Sequence, residues 1–82
     1  MDISVELSCY PLSEEYIPTI KAFIDTINQT DGVTAITNTM STQLFGDSAV
    51  VFPLLEQAMS CSWQQHGKAI FVCKFINGNL AP

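Results

Sequence analysis

Charge is scarce in this chain. Charged side chains make up 13% of the residues, against about 25% in an ordinary soluble domain. There is no arginine, and Lys21, Lys68 and Lys74 are the only lysines against eight acids, for a net charge of −5. Nucleic-acid binding is therefore not expected, because phosphate neutralisation needs clustered Lys or Arg. Histidine occurs once, as His66, so a histidine-based metal centre cannot form within one chain. That residue follows Trp63-Gln64-Gln65 and precedes Gly67, which reads as a helix C-terminus, where a cation is mildly favoured. Cys9, Cys61 and Cys73 are odd in number and have no C-x-x-C spacing. This speaks against a disulfide framework or a zinc site, and buried free thiols are the expectation. No glycine-rich phosphate loop occurs. No apolar run reaches the roughly 18 residues of a bilayer span, and Met1-Asp2-Ile3-Ser4 has no basic leader. A cytoplasmic location without membrane contact is the default.

What is abundant is apolar residues, at 48% of 82 residues. One domain is expected at this length. So small a chain buries only about 60–65% of its unfolded surface. With little charge to cover the rest, self-association is expected.

Ile3, Val5, Leu7 and Cys9 alternate with Ser4, Glu6, Ser8 and Tyr10. The period of two predicts a half-buried strand over residues 3–10, odd positions inward, ended by Pro11. Ser13 is a candidate helix cap, with Glu14-Glu15 at the positive end. Ile17, Ile20, Phe23, Ile24 and Ile27 follow at helical spacing, with Thr19, Lys21, Asp25 and Asn28 toward water. Thr30-Asp31-Gly32 ends that helix, with a glycine suited to a left-handed cap.

Residues 33–40 and 42–45 read as two strands, rich in Val, Ile and Thr, that break near Met40-Ser41; one long bent strand is the alternative. Gly46-Asp47-Ser48 offers a turn and a helix start, with Asp47 or Ser48 as the cap. Val50, Val51, Leu54, Leu55, Ala58, Met59 and Trp63 form the apolar stripe of a second helix. Pro18 and Pro53 leave the start of each helix open. They also echo each other at an offset of 35 residues, each five residues after a serine. Ala69 through Ile76 is apolar except for Lys74 and reads as a strand buried on both faces. Leu80-Ala81-Pro82 reads as a loose tail.

The order β-α-β-β-α-β predicts an α+β, ferredoxin-like sandwich: a four-stranded antiparallel sheet with two helices on one face. Ile3, Val5, Leu7, Ile20, Phe23, Ile27, Leu54, Leu55 and Met59 are the expected core. The other sheet face is left open, and a second sheet is the simplest cover for its apolar row.

The run Ile3 to Leu12 (ISVELSCYPL), Tyr16-Ile17, and Met40-Ser41-Thr42 with Gly46 resembles the thiamine-binding YkoF-like family, also called MTH1187-like, over nearly the whole chain. The resemblance implies sheet-to-sheet dimers that often pair into tetramers, and non-catalytic binding of thiamine or its hydroxymethylpyrimidine part, in vitamin B1 salvage, transport or sequestration. Two positions depart from the family pattern. Phe45 stands where an acid often precedes the glycine, and Lys74-Phe75-Ile76-Asn77 is less basic than the usual end of the last strand.

An aminopyrimidine needs fixed donors and acceptors beside an apolar or aromatic wall, while a thiazolium tolerates acids and π faces. The candidates are Glu6, Ser8, Tyr10, Asn38, Met40, Ser41, Thr42 and Phe45. Ser41 and Thr42 are expected to donate or accept hydrogen bonds, and Glu6 to offset the cation. No catalytic residue, metal or cofactor is expected; the thiamine or pyrimidine is ligand. The competing functions are an amino-acid-sensing ACT-like module and a small ferredoxin-like isomerase or monooxygenase, which would need a strongly perturbed acid or base.

Overall fold

A computed structural model describes residues 1–12, 14 and 16–82. Ser13 and Glu15, expected to start the first helix, lie outside the described residues. The elements are β1 (Asp2–Pro11), α1 (Tyr16–Asn28), β2 (Val33–Thr37), β3 (Thr42–Asp47), α2 (Ser48–His66) and β4 (Ala69–Asn77). The strands form one antiparallel sheet in the order β2-β3-β1-β4. This is the expected ferredoxin-like α+β arrangement.

The period-two pattern of β1 decides which face meets the helices. Ile3, Val5 and Leu7 are buried with Phe23, Ile27, Leu44, Val51, Leu54, Leu55 and Ala58. Burying a Leu, Ile or Phe side chain is worth about 1.5–3 kcal/mol, so these ten side chains hold the layers together. Met59 packs at the rim of this core. Ile20 is half-buried.

Several expectations are corrected. Thr19, placed toward water, is fully buried, and Ile17, placed on the core stripe, is exposed. The α1 face is thus rotated from the one drawn through the isoleucines. Trp63 is 45% exposed; its indole Nε1 donates to the Ala69 carbonyl at 2.9 Å, which holds the ring over the α2–β4 join. Cys61 is exposed and Cys9 and Cys73 only half-buried; burial pushes both of the latter thiols above their usual range.

β4 is an edge strand, hydrogen-bonded on one side only. Ile70, Val72, Phe75 and Ile76 each remain about half exposed, so in the single chain β4 is not buried on both faces. The tail after it is tied down. Ser4 Oγ donates to the Gly78 carbonyl at 2.8 Å and accepts from the Leu80 amide at 2.9 Å.

The proline positions differ. Pro18 lies in the first turn of α1, whereas Pro53 is the sixth residue of α2, so their equal spacing from a serine marks no equivalent place. His66 is the last residue of α2, with Gly67 capping it through its N–H to the Trp63 carbonyl. Gly32 takes a positive φ of 84° in the turn entering β2, beyond the helix end.

No turn forms at Gly46-Asp47. Both residues are the last rungs of β3, and α2 starts directly at Ser48. Asp47 is the cap: its Oδ1 accepts from the Ala49 amide at 2.8 Å, and its Oδ2 lies 3.7 Å from the N-terminal ammonium. These two contacts, the Ala49 amide first, lower its pKa from the usual 3.8. Gly46 is needed for space. A Cβ there would sit 2.8 Å from the Gly32 carbonyl oxygen and 3.4 Å from Val51.

Two outcomes follow. Gly46→Ala forces backbone apart at the β2–β3 join and is expected to cost about 1–3 kcal/mol, read by chemical denaturation; a change within error of zero would mean the strands yield freely. For Asp47 the folded pKa is depressed, so its contribution is complete above the unfolded value and is lost as pH falls through the lower, folded one. Melting temperature followed from pH 6 to pH 2 should therefore fall less steeply below about 3.8 in Asp47→Asn, which keeps a capping oxygen and has no charge to lose.

Candidate ligand site

The site arises from a mismatch in strand length. β1 pairs with β4 from Ile3 to Pro11, but with β3 only from Asp2 to Leu7. Past Leu7 the β3 side of β1 has no strand beside it. The chain has turned away at Asn38–Ser41, where the Asn38 amide donates to the Ser41 carbonyl at 3.0 Å. The Asn38 side chain fastens this turn, its Oδ1 accepting from the Met40 and Ser41 amides, both at 3.1 Å. This Asx arrangement ends β2 at Thr37, three residues before the expected limit, and makes β2 and β3 a hairpin rather than one bent strand. β3 in turn runs two residues longer than its expected span.

A cavity of about 250 Å³ fills the notch. Ser8, Tyr10, Asn38, Met40, Ser41 and Thr42 all line it, so six of the eight candidate residues gather from two separate stretches. Ile20, Phe23 and Ile24 of α1 supply an apolar wall. Thr42 is buried at the bottom of the β2–β3 hairpin, its Oγ1 3.2 Å from that of Thr37. Ser8 Oγ donates to the Met40 carbonyl at 3.4 Å, bridging strand to turn. The Met40 side chain stands in solvent at 86% exposure.

Glu6 and Phe45 lie elsewhere. They line a second cavity of about 210 Å³ on the open sheet face, with Lys74, Gln43 and Leu80 around them. Phe45 is buried there. Glu6 joins the two hollows: its Oε2 accepts from Ser41 Oγ at 3.2 Å, and its Oε1 lies 3.5 Å from Lys74 Nζ. Its charge thus has an internal partner on one side and reaches the notch through a hydroxyl on the other.

One functional group escapes any reading of side chains. At the two ends of the β1–β4 ladder the Gly78 amide donates to the Asp2 carbonyl and the Leu12 amide to the Lys68 carbonyl. Hydrogen-bonded pairs alternate in antiparallel sheets, so even-numbered residues of β1 bond to β4 and odd-numbered ones point toward β3. Cys9 is the first odd residue beyond the last β3 pair. Its N–H and C=O face the notch as one unfilled rung. The α1 wall and Thr37 were missed for another reason: they are distant in sequence, and only packing brings them near. Among the described residues, no group of three or more His, Cys, Asp and Glu could hold a metal ion, and no helix is long and apolar enough to cross a membrane.

This combination, a ferredoxin-like sandwich with a polar notch at the end of β1 and an open sheet face, defines a class of small α+β domains with the site at the hairpin end of the sheet. The chain belongs to the YKOF-related family, whose model matches residues 2–78. The fold is shared with protein SP2199 from Streptococcus pneumoniae, at a TM-score of 0.87 and 22% identity over 98% of this chain and 90% of that one. It is shared also with hypothetical protein MJ1052 from Methanocaldococcus jannaschii (0.81, 20% identity, 99% and 84%). A Thermotoga maritima protein with a provisional thiamine biosynthesis/salvage designation superposes at 0.83 with 12% identity over 95% and 85%. At these identities the likeness concerns the fold alone. No curated protein matches the chain.

Proposed function

We propose that this protein binds thiamine or its hydroxymethylpyrimidine part in the β1 notch, without catalysis, in salvage, transport or sequestration of the vitamin. The observation that carries this reading is the unfilled rung of Cys9 beside an apolar wall and a row of hydroxyls. An aminopyrimidine presents a ring-nitrogen acceptor next to an amino donor. That pair complements one residue's N–H and C=O, as the missing strand would. Ser41 and Thr42 supply further hydrogen bonds, and Phe23 with Ile20 and Ile24 packs against the ring. The cavity volume is slightly below the roughly 300–1,000 Å³ usual for ligand pockets, which suits one substituted ring with the remainder projecting outward. Glu6 lies beyond Ser41, on the side where a thiazolium would project. Family membership and the Thermotoga maritima designation are consistent with this.

The assembly proposed with it is a homodimer through the open sheet faces, or a tetramer of two such dimers. The support is the row Ile70, Val72 and Ile76, each about half exposed on that face. Light scattering at micromolar concentration should give a multiple of 9.0 kDa; a single-chain mass would remove the assembly.

Calorimetric titration with thiamine, hydroxymethylpyrimidine and a panel of amino acids tests the ligand. Loss of one hydrogen bond costs about 0.5–1.5 kcal/mol, so Thr42→Ala should weaken binding about three- to tenfold. Glu6→Gln should weaken thiamine more than the uncharged pyrimidine. Heat from neither vitamer at millimolar concentration would end the vitamin reading, and heat from an amino acid instead would favour a sensing module.

A further inference from the structure

Arginine is absent and lysines are three, all of them described residues, so the fixed positive charge of the chain can be placed in full. Among the described residues that line the notch, none is charged. Lys74 stands over the open sheet face, 3.5 Å from Glu6 Oε1. Lys68 lies on the β4 side of β1, where its carbonyl accepts from the Leu12 amide. Lys21 is exposed on α1, over a separate hollow that shares Ile20 and Ile24 with the notch. The N-terminal ammonium is at the opposite end of β1, 3.7 Å from Asp47. The charge that does reach the rim of the notch is negative: Glu6 Oε2 accepts from Ser41 Oγ at 3.2 Å.

We infer that the notch accepts the unphosphorylated vitamer and rejects its phosphate esters by charge. This rests on the thiamine reading above and fixes the class of ligand within it. A phosphate ester carries about −1.5 to −2 charges at neutral pH. Proteins hold such groups with Lys or Arg, or with free backbone amides at a helix N-terminus. The amides of the turn are already taken: those of Met40 and Ser41 donate to Asn38 Oδ1, and that of Asn38 to the Ser41 carbonyl. The first turn of α1 lacks one donor, because Pro18 stands in it.

Position decides the rest. With the pyrimidine ring against Phe23, the hydroxyl that can be esterified is on the projecting part. It is the hydroxymethyl group of the free pyrimidine, or the hydroxyethyl arm beyond the thiazolium. Either leads to the mouth, on the side of Glu6. A thiazolium is attracted there and a phosphate is repelled. Lys74 offsets part of the carboxylate's charge from the sheet face, so removing either partner of that pair should move the discrimination, in opposite directions.

The esters form when a nucleoside triphosphate passes its terminal phosphoryl group to that hydroxyl oxygen. The nucleoside diphosphate leaves and the hydroxyl proton goes to solvent. A protein that holds only the free hydroxyl form belongs on the substrate side of such a phosphotransferase, or on the product side of a phosphatase. It does not serve to hold the diphosphate.

Calorimetric titration of the whole protein with thiamine, thiamine monophosphate and thiamine diphosphate in one buffer tests this. Thiamine should bind most tightly. Each ester should be weaker by about fivefold or more, the effect of one unit-charge repulsion at 4 Å in water. Raising the ionic strength from about 0.01 M to about 1 M shortens the screening length from about 30 Å to about 3 Å and should narrow the gap. Glu6→Gln should narrow it and Lys74→Gln should widen it. Met40→Lys, which places a cation on the exposed turn, should also narrow it. Thiamine binding with the diphosphate equally tight or tighter overturns the inference and leaves the thiamine reading standing. Loss of such tight diphosphate binding in Lys21→Gln or Lys68→Gln would identify the cation that overturned it. A gap that neither salt nor Glu6→Gln changes also overturns it, since the exclusion would then be steric. Heat from none of the three removes the thiamine reading and the inference together.

Discussion

The constraint on which the rest depends is the unequal length of the ladders on either side of β1. This strand has ten residues, while β3 offers it only six and β4 runs beside it almost throughout. Backbone polar groups must find partners wherever they are taken from water. The shortfall therefore leaves an unfilled rung at Cys9, and the β2–β3 turn, fastened by Asn38, frames it. The same central position of β1 puts its hydroxyls and Glu6 on the open face, and its apolar residues against the helices.

The second consequence of so few charges is where apolar surface remains. In one chain, β4 and the outer side of α2 keep large side chains half exposed. The core itself is small, as it must be in 82 residues. Surface that a larger domain would bury internally stays exposed here, on the open sheet face and on the outer side of α2.

Glu6 illustrates how position changes a residue's role. As a carboxylate on a strand it reads as a counter-ion for a cationic ligand. In the fold it is shared between Lys74 and Ser41. An exposed ion pair of this kind is worth little by itself, about 0–1 kcal/mol. It does align the Ser41 hydroxyl at the rim of the notch.

The alternation in Ile3 to Cys9, the stripes around Phe23 and Leu54, and the Val-Ile-Thr runs were enough to determine the element order, the sandwich and most of the core. These are local patterns, set by the two backbone periodicities. The candidate residues around Asn38–Thr42 were legible for the same reason, as polar groups crowded at a strand break. The sequence by itself could not place Thr19 inside or Ile17 outside, because the exact angle at which α1 sits on the sheet depends on every contact beneath it. Nor could it separate Glu6 and Phe45 from the other six candidates, or mark Cys9. Those depended on register: which rungs pair, where the β3 ladder stops, and which backbone groups are left facing the gap. Register is set by long-range strand pairing, and only the tertiary structure decided it.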